Sequence, residues 1–81
     1  MHEMGIASSV IEAVRAEAGR HPGARVTKVG LRIGELAGVD EASLTFCFEA
    51  LVKETELESA ILAIEDAGCD ELDITYLELE E

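Results

Sequence analysis

The order of residues predicts a two-layer α/β (α+β) sandwich, with two helices packed on a three-stranded mixed β-sheet. Three observations lead there. Apolar residues near the N-terminus recur at helical spacing, the segment that follows alternates at strand spacing, and the periods along the 81 residues run helix, strand, helix, strand, strand.

The first helix is read from Ala7, Val10, Ile11, Val14 and Ala18, which form one stripe, with Glu12, Arg15 and Glu17 on the opposite face. The stretch Gly19 to Gly23 holds the only proline and should end it, because proline lacks the N–H that the helical ladder needs. From Val26 to Leu36 the chain alternates. Val29, Leu31 and Ile33 point one way and Lys28, Gly30 and Arg32 the other, a strand with one buried face. Gly34 and Gly38 bracket a turn, and Asp40 is placed to cap a second helix from about Glu41 to Thr55, with Leu44, Cys47, Phe48 and Leu51 on its stripe.

Ala60 to Glu65 reads as a second strand and Leu72 to Glu80 as a third, joined by the short connector Asp66 to Asp70. In the third strand Leu72, Ile74 and Tyr76 share one phase while Leu77 and Leu79 take the other. Either a bulge re-aims the strand near Tyr76 and Leu77, or both of its faces are covered. A strand–helix–strand unit favours a parallel crossover, and the last strand most simply returns antiparallel. Val29, Leu31, Ile33, Phe48, Leu51 and Ile74 should be buried together, with Phe46, Phe48 and Tyr76 as the few large pieces available to the core.

A chain of this length makes one domain, residues 1–81, and such a domain buries only roughly 60% of its unfolded surface. Its 48% hydrophobic content nevertheless supports a folded core. The formal charge of −12, from 18 acids against six Lys and Arg, repels nucleic acid and anionic membranes and favours cations or basic protein surfaces as partners. The acids crowd toward the C-terminal end, as a solvated face or a fraying tail. Two cysteines make no disulfide framework, and the N-terminus has neither a basic region nor a long apolar stretch, so a reduced, cytoplasmic location is expected.

The sharpest chemistry is at Met1, His2 and Glu3. Removal of an initiator methionine normally requires a small second residue, so His2 should leave Met1 in place. The Met1 α-amine, the His2 amide nitrogen and the His2 imidazole can then form fused five- and six-membered chelate rings. Nitrogen donors in one plane suit Ni(II) or Cu(II). The Glu3 amide, an added ligand or a second side chain would complete the square. Taken alone, His2 reads as part of a mobile terminus, and Glu3 as a favourable charge at a helix N-terminus. His21 reads as an exposed loop histidine, Cys47 as a small core residue and Cys69 as a lone loop thiol. One thiol cannot make a structural zinc site. There is no phosphate loop, nucleophile elbow or Ser/His/Asp spacing, so catalysis is not expected.

The sequence resembles the HypA/HybF hydrogenase nickel incorporation family along nearly its whole length. The resemblance is carried by MHEM at the start and the helix after it, by VTKVGLRIGELAGVD, by SLTFCFEALVKETELESA and by DELDITYLELEE. It implies the same sandwich fold and a nickel site on Met1, His2 and Glu3. It also implies work with a HypB-type GTPase and delivery of Ni(II) to the hydrogenase large-subunit precursor, with urease maturation proteins as further partners in some organisms. Members carry a zinc domain with two CxxC pairs between the last two strands, a position falling between about residues 65 and 70 here. Both pairs are missing, so this is either an engineered domain or a natural protein with part left out, and no zinc is expected in it.

Two functions follow from different classes. One is a non-enzymatic nickel metallochaperone domain that releases its metal by ligand exchange. The other is an acidic protein-interaction module that docks a partner through its acidic face or a sheet edge, without metal. A sheet edge or short hinge left by the missing domain would promote a domain-swapped homodimer under either reading.

Overall fold

A computed structural model describes residues 2–34, 37–68 and 72–81. The elements run α1 (Glu3–Ala18), β1 (Arg25–Gly34), α2 (Glu41–Val52), β2 (Ile61–Ala67) and β3 (Leu72–Glu80), and the sheet order is β2-β1-β3. The two-layer mixed sandwich is the architecture expected. β1 pairs with β2 in parallel and with β3 antiparallel, so β1 is the central strand.

The α1 stripe is buried at Ala7, Val10, Ile11 and Val14, but the helix starts at Glu3, a full turn before the first stripe residue. No apolar period marks that added turn, because Met4 and Gly5 are exposed and the half-buried Glu3 is polar. In α2, Asp40 caps as expected, its carboxylate accepting the Ser43 N–H at 3.0 Å. The helix ends at Val52 rather than Thr55, and the chain leaves it through Glu54 at φ 64°, a left-handed conformation.

Leu44, Phe48 and Val52 form the buried α2 face, against Val26, Val29, Leu31 and Ile33 of β1. Three core expectations are corrected. Leu51 is 38% exposed, because the helix turns Val52 inward in its place, and Phe46 on the outer side is 71% exposed. Tyr76, at 45% exposed, lies on the open face of the sheet. Leu57, Ala60 and Val52 enter the core from positions the stripes did not mark.

The phase change in β3 is a bulge. Gly30 pairs with Tyr76 and Leu31 with Ile74, leaving Thr75 as an extra residue on β3. Ile74, Leu77 and Leu79 therefore all turn toward the helices while Tyr76 turns away. Its ring lies directly over Gly30, where a Cβ would collide with it. The same open face carries ion pairs from β1 outward, Arg25 to Glu80 at 2.9 Å, Lys28 to Glu78 at 3.9 Å and Arg32 to Glu65 at 3.8 Å. Of the late acids, Glu65, Glu78 and Glu80 thus belong to a solvated sheet face. They are no fraying tail, since β3 runs to Glu80.

β2 and β3 are not neighbours. The end of β2 and the start of β3 lie on opposite sides of β1, about two strand spacings, or ~10 Å, apart.

Candidate metal centre

Starting α1 at Glu3 determines what the N-terminus can offer. His2 is the N-cap residue, extended at φ −86° and ψ 95°, and its carbonyl accepts the first helical bond from the Ile6 N–H at 3.1 Å. The amides of His2 and Glu3 precede the first ladder donor, so neither is consumed by the helix. The His2 imidazole is exposed and makes no capping bond. Met1 lies outside the described residues. The amide nitrogens of His2 and Glu3 and the His2 imidazole thus lie on two consecutive residues, outside the helical ladder.

Glu3 is held from a distance. Its Oε2 accepts the Asp40 N–H at 3.1 Å, so the residue that caps α2 also anchors the start of α1. That bond, helped by the Glu3 backbone N–H, holds the carboxyl below the usual carboxylate range. The contact joins residues 37 positions apart. Asp40 was legible as a cap, but nothing in the sequence signalled its link to Glu3. Beside it, Glu41 shares a hydrogen bond with Asp66 of β2, which raises the Glu41 pKa because a proton between two carboxyls favours the neutral form.

The other sequence candidates sit elsewhere. His21 lies past the far end of α1, a helix of about 24 Å, with its Nε2 3.6 Å from Glu17. Cys47 is partly buried against the core, and Cys69 lies outside the described residues. Among the described residues no three His, Cys, Asp or Glu side chains converge on a metal position. Any metal held by them at the N-terminus would rely on backbone nitrogen as well as the His2 ring.

The two-layer sandwich, two helices on a three-stranded mixed sheet, is shared by solved structures of metallochaperones. The Ni metallochaperone HypA from Helicobacter pylori superposes with a TM-score of 0.74 at 25% identity, over 94% of this chain and 72% of that one. A second solution structure, of HypA protein, gives 0.68 at 25% identity, over 94% and 71%. The family model described as "Hydrogenase/urease nickel incorporation, metallochaperone, hypA" matches residues 1–73, and the chain belongs to that family.

Hydrogenase maturation factor HypA of Pelodictyon phaeoclathratiforme is 47% identical over 66 residues, covering 82% of this chain and 56% of the relative. The Chlorobaculum tepidum protein is 48% identical over 66 residues, 82% and 58%. The chain thus spans little more than half the length of these relatives. Among the described residues no helix is long and apolar enough to cross a membrane.

Proposed function

We propose that this chain is the nickel-binding domain of a metallochaperone serving [NiFe] hydrogenase maturation, a cytoplasmic process in which it works with a GTPase partner. Ni(II), the cargo, binds through the Met1 amine, the His2 amide and the His2 imidazole, with Glu3 adding its amide or its charge. The observation that carries this reading is the position of His2 as an exposed N-cap whose amide and ring are both outside the helical ladder. Membership of a nickel incorporation family supports the choice of metal.

The geometry suits transfer rather than storage. A site at an exposed helix start can be approached by an incoming ligand, so nickel can pass to a partner by stepwise exchange without unfolding the domain. The Glu3 bond to Asp40 keeps the first turn of α1 against the α2 cap, limiting where the bound metal can be presented. A zinc domain inserted between about residues 65 and 70, as the family resemblance implies, would add contacts near the end of β2 and the start of β3.

The test is calorimetry on untagged protein. The expected result is one Ni(II) per chain with proton release, since amine, imidazole and amide must all lose protons, and binding that weakens steadily as pH falls. His2→Ala, or one residue added before Met1, should abolish binding, while His21→Ala and Cys69→Ser leave it unchanged. Unaltered nickel binding by His2→Ala ends the N-terminal reading. A chain that binds no nickel but still docks a maturation partner would be the acidic interaction module instead.

A further inference from the structure

We propose that the free edge of β3 is a docking site for an extended segment of another protein, one that alternates apolar and basic residues and adds a fourth strand to the sheet. β3 closes the order β2-β1-β3 and, among the described residues, is bonded only to β1, so a nine-residue strand presents its outer backbone groups. Such an edge lets a peptide join by main-chain hydrogen bonds, with alternate side chains supplying selectivity.

The space a fourth strand would fill is already shaped. Two grooves, of about 500 and 630 Å3, follow one another between α1 and the inner face of β3, and Ile74 lines both. Ile74, Leu77 and Leu79 pack against the core without being fully buried, and Leu72 is 37% exposed. A strand laid about 4.8 Å beyond β3 would project every second side chain beneath α1, covering these four residues.

Charge selects the occupant. On the opposite face β3 carries Asp73, Glu78 and Glu80, and the whole chain has 18 acids against six Lys and Arg. Arg15, Arg20, Arg25, Lys28 and Arg32 each already stand within 4 Å of a glutamate. Basic residues on the solvent side of the docked strand would fall beside the β3 acids. A second copy of this chain would instead bring those acids against one another. The groove ends at His2, so a docked partner reaches the N-terminus; that link to nickel rests on the proposed function, whereas the docking itself does not.

The probe is a capped octapeptide alternating Lys and Val, compared with its block isomer (four Lys, then four Val) and with an alternating Glu and Val peptide, all without metal. The alternating basic peptide should bind at least roughly tenfold tighter than either control, and several-fold weaker when salt rises from about 50 to about 500 mM. Amide exchange should slow at alternate positions of β3 and not on β2, a reading on the wild-type chain that needs no variant. Leu72→Lys, at an already exposed position, should weaken the peptide several-fold with the melting temperature retained. Equal binding of the block isomer, protection on β2 in place of β3, no binding of the alternating basic peptide, or edge-paired dimers of the free chain would overturn the proposal.

Discussion

Phe46 and Phe48 are the same residue type two positions apart on one helix, and the structure assigns them opposite fates. Phe48 is 1% exposed among Leu31, Leu44 and Val29, while Phe46 is 71% exposed. Truncating a buried Phe to Ala removes its transfer free energy and leaves a cavity, together about 3–5 kcal/mol. An 81-residue domain has a total stability of about 4–12 kcal/mol, so Phe48→Ala should take away a large share of it. Phe46→Ala should change stability by about 0.5 kcal/mol or less, as for most surface substitutions. Urea denaturation followed by far-ultraviolet circular dichroism measures both on one scale. Equal losses at the two positions, or the larger loss at Phe46, would refute the orientation of α2 and with it the placement of the core.

Three further outcomes are expected. Gly30→Ala should push the Tyr76 ring off the sheet at a cost of about 1 kcal/mol, and because Tyr76 is the only Tyr and there is no Trp, intrinsic fluorescence reports that displacement directly. Glu56 is held below the usual carboxylate range by its bond to Arg15, so its contribution is present above about pH 4.3 and is lost as pH falls through the lowered value. Arg15→Gln should therefore narrow its stability gap to wild type in acid, measured by denaturation at several pH values. Glu41 carries the opposite sign: raised by Asp66, its contribution is full below the ordinary value and fades as pH rises through the raised one. Excess chelator should leave the circular dichroism spectrum and melting temperature unchanged, since Cys47 is packed against the core as a free thiol; a cooperative loss of structure would revive a zinc requirement.

What the sequence determined by itself is whatever repeats along the chain or acts within a few residues. The stripes of α1 and β1, the Asp40 cap and the order of elements were legible because period and capping are local consequences of backbone geometry. The donor set proposed at His2 is local in the same way, since its chelate rings close within two residues. The β3 phase change was visible too, but its choice between a bulge and a doubly covered strand was not. Only pairing with β1 left Thr75 over and sent Tyr76 onto Gly30.

The tertiary structure alone decided the rest. α1 begins at Glu3, which makes His2 a cap, through a turn in which only Ile6 packs against the core, too little to leave a hydrophobic period. The Glu3 bond to the Asp40 N–H spans 37 residues and uses a backbone donor that every non-proline residue carries, so no residue type could mark it. Leu51 and Val52 are both apolar, and where α2 stops and which way it rolls, not composition, chose the one that is buried. Long-range contacts of this kind depend on how elements meet in space, and a one-dimensional pattern carries only what each element would do alone.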